Sequence, residues 1–453
     1  MNEKKPFTLL GIRKSLVVMA MVSTAHLAEL GVHRCWAQPQ AVLIPALPQH
    51  STPETFRLTL DDARQRILAN HKLLRLAALN VQGKGHETSA ARADYFPKIV
   101  GNTVYLHFND SLGSVVSTQG RPILGIPAKT VAVNVLNQNT SFTNVTVLQP
   151  ITDLIKVRQG VQVAQADENI AQAQLEKGMR ELLGGMEQLY WGLLATQRIR
   201  AGVVEGYSGA QKLAELGTVE TRTALLEARQ ALQQVNVQFA DLQEQLDILL
   251  DLPPSTILEL IEPPLPGLPV ACADDAIKLA METSPDLREA AANIAKADAA
   301  TRAARLDFVP SIAAMGGYTN QTGASYIQQN IGYVGLVGSY TFVDWGKRKN
   351  VIRGREHLIS MAHLKYRQTQ DELFQKTLKA YRGMSESHEA LILAQELVEL
   401  RKEAEEKALP AAQTNPVGLI EASKARTTAE VDYVKADLGY RQAHMELCML
   451  IGR

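Results

Sequence analysis

DLIKVRQGVQVAQADENIAQAQLEKGMRELLGGMEQLYWGLLATQRIRAGVVEGYSGAQKLAEL, from Asp153 to Leu216, decides the fold. These 64 residues contain no proline. Read in alternating steps of four and three, they give Leu175, Met179, Leu182, Met186, Leu189, Leu193, Thr196, Arg200, Val203, Tyr207, Ala210 and Ala214. Only Thr196 and Arg200 interrupt that apolar seam. A 3.5-residue repeat kept up for so long predicts a supercoiled helix lying along a partner. At about 1.5 Å per residue it would be roughly 95 Å long, more than the diameter of an ordinary domain. Gly184-Gly185 is its weakest point, because each glycine costs about 1 kcal/mol against alanine.

On the C-terminal side, Gly217-Thr218 reads as a turn, and Val219 to Leu250 as a shorter returning helix. On the N-terminal side the period changes to two. Val100, Asn102, Val104, Leu106 and Phe108 alternate with Ile99, Gly101, Thr103, Tyr105 and His107, which predicts a strand from Lys98. A second strand is expected over 138–149, and the Ser-, Gly-, Pro- and Asn-bearing residues 110–137 between them read as a loop. Before the first strand, Leu58 to Asn70 opens a helix that Thr59 can cap and that Asp61 and Asp62 favour through the dipole. A second helix follows and stops before Pro97.

After a Pro-rich connector, 252–272, the whole plan recurs. Residues 61–97 align without a gap with 274–310, and 14 of these 37 positions are identical. Asp61-Asp62-Ala63 matches Asp274-Asp275-Ala276, and Ala90-Ala91-Arg92 matches Ala303-Ala304-Arg305. Strands are expected again over 311–322 and 330–343, then a long helix from Asp344 to about Pro410 and a return helix from Gly418 to Leu450. The reading is therefore two repeats, 58–251 and 273–453, joined by that connector. Each carries a helix pair, a strand pair, a long helix and a return helix.

The chain has 453 residues, a formal net charge of zero and only 5% aromatic residues, fewer than compact cores use. It shows no basic stripe, so no nucleic-acid partner is expected. Residues 1–37 carry Lys4, Lys5, Arg13, Lys14 and Arg34 against Glu3 and Glu29. The apolar run from Ser15 to Ala25 follows that basic region, so the segment reads as a secretory signal cleaved after Ala25 or, preferably, Ala37. Lipidation at Cys35 stays open. Residues 38–57 read as a linker. Cys272 and Cys448 are expected to be buried free thiols, with a bridge between them also open. No later run is long and apolar enough for a membrane helix. There is no phosphate loop, nucleophile elbow or metal-ligand spacing, with His357 and His363 off one helical face, so neither catalysis nor a cofactor is expected.

The four strands, of about twelve residues each, are long enough to cross a bilayer when tilted. In lipid every backbone group needs a partner, so the sheet has to close. Four strands are too few, since the smallest membrane barrels have about eight. A membrane reading therefore requires several copies. The alternative is a non-transporting coiled-coil scaffold of the cell envelope, in which the strand segments are loops.

The duplication, LTLDDARQRILANH, the ARADYFP and ARLDFVP endings of the second helices, and FVDWGKRKN from Phe342 to Asn350 together resemble the TolC-like outer membrane efflux proteins. The resemblance covers about 58–453. It implies a mainly α fold with a membrane β-barrel: long coiled-coil helices forming an α-barrel, and four strands per chain contributing to a 12-stranded barrel in a homotrimer. It further implies outer membrane lipid around the barrel, a periplasmic helical part, a periplasmic adaptor and an inner-membrane pump of RND or ABC type as partners, and a passive exit duct for efflux or type I secretion. The helix tips of that family, LGTVETRT (Leu216 to Thr223) and QTNPVGLIE (Gln413 to Glu421) here, form the periplasmic aperture and the adaptor's docking site. Leu216, Gly217, Thr218, Asn415, Pro416 and Val417 are thus the docking candidates. Glu421, with Gly418 where the family can carry a second acid, and Glu227 as the first-half equivalent, are the aperture candidates. Read from the residues alone, Glu227 and Glu421 are equally compatible with solvated helix surface. Glu403, Glu405 and Glu406 read as a solvated acidic face, and Tyr190 and Tyr381 as equivalent packing positions.

Overall fold

The computed structural model describes residues 55–118, 129–215, 217–253, 256–324, 326–411 and 416–452. The expected signal with Cys35, most of the expected linker, and the tip residues Leu216 and Asn415 lie outside them.

In chain order the first repeat contains β1 (Thr55–Leu58), α1 (Leu60–Asn70), α2 (Lys72–Ala93), β2 (Lys98–His107), β3 (Leu112–Thr118), β4 (Lys129–Pro150), α3 (Leu154–Ala214) and α4 (Val219–Leu249). The second contains β5 (Ile257–Leu260), α5 (Ala273–Thr283), α6 (Pro285–Arg305), β6 (Ser311–Ala324), β7 (Asn330–Ser339), α7 (Lys347–Ala408) and α8 (Pro416–Ile451). The predicted seam is a single helix of 61 residues, and its counterpart α7 has 62. Gly184-Gly185 does not break α3. Gly184 is buried against the Met449 thioether of α8, so its missing side chain is what lets the two helices approach.

α3 packs against α2 and α6 over its N-terminal part and against α4 and α8 over its C-terminal part. α7 packs correspondingly against α6 and then α8. The lateral order of the layer is therefore α2-α3-α6-α7 towards the strands and α4-α3-α8-α7 towards the tips. Each repeat has its own apolar cluster where the short helices meet the long one. The first gathers Leu58, Ile67, Met186, Tyr190, Leu193 and Leu246, and the second Ala276, Leu373, Met384, Tyr440, Leu447 and Ile451. Each of the large aliphatic side chains fully removed from water contributes roughly 1.5–3 kcal/mol.

Three expectations are corrected. Residues 110–137 are not simply a loop: β3 pairs with 129–136 of β4, which extends the hairpin well past the predicted strands. A β-bulge at Leu112/Gly113 and the Gly and Asn content hid this pairing. The linker and connector also hold structure, because β1 and β5 form a parallel pair with Thr55 opposite Ile257 and Arg57 bonded to Glu259 at 2.8 Å. Cys272 and Cys448 form no disulfide with each other, and against expectation Cys272 is exposed and Cys448 half-buried.

The connector is fastened to both long helices. Tyr190 donates to Leu58 O (3.1 Å) and Ile261 O (2.5 Å), Tyr381 to Ala271 O (3.2 Å) and Tyr440 to Pro266 O (2.8 Å). Burial pushes the Tyr190 phenol up to about 12. Beside them Arg441, 5% exposed, binds Asp437 at 2.9 Å and Glu262 at 3.1 Å and lies 4.4 Å from the centre of the Trp191 ring. Arg198 closes the group on Asp437 (2.8 Å) and Glu262. Tyr190 and Tyr381, read as packing positions, thus also anchor the chain that joins the repeats.

Candidate functional site

The sheet has the order β2-β4-β6-β7, each pair antiparallel, with β2 and β7 at the two edges. Because residues opposite one another share a face, the register sorts every side chain. On one face Ile99 stands opposite Val147, Val145 opposite Tyr318, Gly316 opposite Val334, and Ala314 opposite Leu336. This face is apolar and open, with Ile99 and Leu336 each 72% exposed and Val334 94%. The opposite face carries Asn102, Asn144, Thr146, Thr319 and Tyr333. There Asn144 Oδ1 accepts from Thr319 (3.2 Å) and Tyr333 (3.4 Å), and the Tyr333 hydroxyl meets Thr146 Oγ1 at 2.9 Å. The first face is apolar at these positions, whereas the second sets this polar network among Val100, Val104, Leu148 and Val337; a membrane barrel wall alternates an apolar with a polar face.

Where strands become long helices, both repeats place an aspartate. Asp344 Oδ1 accepts from Gly346 N (3.1 Å), and Oδ2 accepts from Arg348 N (3.1 Å) and Nε (2.6 Å). Trp345 (φ 53°) and Gly346 (φ 82°) make the left-handed turn that redirects the chain. Arg348 then donates to Asp307 O and Thr341 O and lies over the rings of Phe308 and Tyr340. In the first repeat Asp153 accepts from Ser311 (2.5 Å), Thr152 donates to Pro310 O (2.9 Å), and Lys156 binds Asp307 (2.5 Å). Strand β7 consequently ends at Ser339 rather than Val343, because residues 340–346 form this junction.

At the other end of α3, Gly217 (φ 76°) makes the turn, its N–H donating to Ala214 O at 3.0 Å. Thr218 caps α4 by accepting from Thr221 N at 3.3 Å. Pro416 opens α8, followed by the exposed Val417 and by Gly418. Glu227 on α4 binds Lys424 on α8 at 2.9 Å. Glu421 is exposed, three residues before Lys424. A turn further on, Arg426 gathers three carboxylates from three helices: Glu205 of α3 (2.9 Å), Glu405 of α7 (2.9 Å) and Glu430 of α8 (3.0 Å). These hydrogen bonds, that to Glu205 first, hold the guanidinium charged. Glu405 is therefore not part of a solvated face. Arg198, Glu205, Gln395, Lys402 and Tyr433 line a cleft of about 400 Å³ beside this group, between α3, α7 and α8.

Residues 276–453 match the family described as outer membrane efflux protein. Among solved structures the chain is similar to the outer-membrane channel OprN, with a TM-score of 0.71 and 17% identity over 87% of this chain and 89% of that one. It is similar to the Campylobacter jejuni CmeC outer membrane channel (TM-score 0.70, 14% identity, 87% and 85% of the two chains). It is also similar to the outer membrane protein VceC from Vibrio cholerae (0.71, 13%, 87% and 96%). Among curated proteins no sequence matches. The fold is that of the outer membrane efflux channels, as the resemblance of the sequence implied.

In this efflux-protein fold the helix tips bring Glu227 and Lys424 together and leave Glu421 without a hydrogen bond or ion pair among the described residues. Arg426 and Glu205 were not picked out from sequence, and Glu405 was read there only as solvated surface. They come from three helices with no common spacing, and only the packing of α8 between α3 and α7 makes them one group. Among the described residues no cluster of three or more His, Cys, Asp or Glu is arranged to hold a metal ion.

Proposed function

We propose that three copies of this chain close into one outer membrane channel, the passive exit duct of a tripartite efflux or type I secretion system. The observation that carries the reading is the pair of free sheet edges. β2 and β7 run in opposite directions, so the β7 of one copy can pair antiparallel with the β2 of the next. Across its width each sheet is four strands, because β3 continues the β2 side of β4, and four then give twelve in a trimer, enough to close a barrel with a passage. The helical layer supports the same closure. Its free lateral edges carry exposed apolar side chains: Leu73 and Leu76 on α2, Leu226 on α4, and Met361, Leu364 and Leu400 on α7. A scaffold of the envelope would have no use for the apolar sheet face.

In this reading the apolar face meets outer membrane lipid and the helices stand in the periplasm. The tips, with Gly217, Thr218, Pro416 and Val417, receive a periplasmic adaptor, while Glu421 and the Glu227–Lys424 pair surround the aperture. Transport energy comes from an inner-membrane pump of RND or ABC type. Mass spectrometry of the detergent-purified protein tests the assembly, and bilayer recording tests the pore. A trimer that dissociates on heating and forms discrete pores is expected. A stable water-soluble monomer would end the proposal.

A further inference from the structure

The second repeat enters α7 through Phe342-Val343-Asp344-Trp345-Gly346, and then carries Lys347, Arg348, Lys349, Arg353 and Arg355 within nine residues. The two carboxylates of this stretch are already engaged, Asp344 by Arg348 (2.6 Å) and Glu356 by Arg305 (2.9 Å). The side chains of Lys347, Lys349, Arg353 and Arg355 are exposed and make no hydrogen bond or ion pair among the described residues. The junction of the first repeat differs. There Lys156 is neutralised by Asp307 at 2.5 Å, and Arg158 is the cation left exposed. The charge excess thus belongs to one junction of the two. Beside it Phe342 is 86% and Trp345 95% exposed.

We propose that this junction binds the headgroup of an anionic glycerophospholipid, with the Trp345 indole at the edge of the acyl region and a pair of α7 cations on the phosphate. The proposal rests on the membrane reading above and names the lipid class that its second junction selects. Aromatic side chains settle at the boundary between hydrocarbon and headgroups, and clustered Lys and Arg just beyond that boundary attract anionic lipid. The reach fits: Lys349 to Arg353 rises about 6 Å along α7, and the headgroup layer adds about 5–8 Å on each side of the hydrocarbon. The helical period also fits. At about 100° per residue, Lys349 and Arg353 share a flank of α7 turned away from the inward-directed Arg348, whereas Arg355, seven residues after Arg348, lies near its azimuth. That flank presents the pair of cations to the phosphate.

Tryptophan fluorescence of the whole protein in vesicles tests this. The chain has three tryptophans, and Trp191 is buried at 6% exposure, so the signal lost in Trp345→Phe identifies Trp345. Vesicles of phosphatidylcholine are compared with vesicles in which brominated phosphatidylcholine or brominated phosphatidylglycerol supplies the quencher. The expected result is a relative association constant at least about threefold higher for the phosphatidylglycerol. The preference should weaken in 1 M salt and disappear in K349Q/R353Q, while R158Q keeps it. Equal quenching by the two headgroups overturns the proposal and leaves the membrane reading standing. Retention of the preference by K349Q/R353Q also overturns it, as does quenching that is unchanged in Trp345→Phe. Quenching that is absent altogether removes the proposal together with the membrane reading.

Discussion

Arg426 of α8 and Glu205 of α3 meet at 2.9 Å, in a bond that joins the second repeat's return helix to the first repeat's long helix. The same guanidinium reaches Glu405 of α7, whose side chain is 16% exposed. Removing the cation would leave three carboxylates facing one another in a partly buried place.

Arg426→Gln is therefore expected to destabilise the tip region by about 2 kcal/mol, towards the low end for a pair broken from one side. Amide hydrogen exchange should rise in the tip-proximal parts of α7 and α8 and stay unchanged around the connector. Adding Glu405→Gln should restore part of the protection, since it removes one of the stranded charges. Equal exchange in the parent and Arg426→Gln would mean that the group does not tie the helices.

Much of the architecture could be read directly from the residues. The four-and-three seam gave α3 to within two residues at its C-terminal end, and the ungapped repeat gave the order of the second half. Short or interrupted elements were harder. β1 and β5 are four residues each, too short for a periodic signal, and they owe their pairing to the packing of Leu58 and Leu258 in the first cluster. The start of β4 does alternate, as Val131, Val133 and Val135, but Asn- and Ser-rich neighbours obscured it. Of the site, the turn at Gly217-Thr218 and the Asp344 junction were visible as local motifs. The Arg426 group was not, since no local pattern records which helix faces meet.

The repeat itself yields a test at the joint between the short helices. His71 caps α2 by accepting from Leu73 N at 3.3 Å, and Ser284, at the equivalent position, caps α6 by accepting from Leu287 N at 3.3 Å. His71→Ser should be tolerated and His71→Ala should cost about 1 kcal/mol. The comparison is of unfolding midpoints in urea. A neutral His71→Ala would show that the imidazole contributes nothing as a cap.

On the polar face of the sheet, Tyr333 lies across Gly317 to reach Thr146. A Cβ at Gly317 would come 2.5 Å from the Tyr333 ring and 2.8 Å from Val145 O. The backbone oxygen has little room to move, so Gly317→Val should cost about 2–3 kcal/mol through overpacking. Tyr333→Phe keeps the ring and loses one hydrogen bond, for about 1 kcal/mol. The thermal unfolding temperature should fall in that order, and a reversed order would count against the packing.

The two adjacent glycines of α3 separate helix propensity from packing. Gly185 has open space where a Cβ would stand, so Gly185→Ala should stabilise the helix by about 0.5–1 kcal/mol. At Gly184 the same methyl group would displace the Met449 thioether, which should cancel that gain. A thermal melt of each variant decides it. Equal gains would mean that α8 does not press on α3 at this point.

Asp247 of α4 is 3% exposed, and its Oδ1 has no hydrogen-bond partner. Burial, with Glu244 as a smaller cause, raises its carboxyl to about 6, against an unfolded value of about 3.9. Between about pH 4 and 6 the folded chain then holds the proton that the unfolded chain has released. Folding stability should fall as pH rises through that window, reach its full penalty near pH 7, and be free of it below pH 4. Asp247→Asn should accordingly stabilise the protein by about 1–2 kcal/mol at pH 7. That advantage should shrink towards zero at pH 4. Urea midpoints of parent and variant at the two pH values test it, and a gain of the same size at both would show that the charge is not the cause.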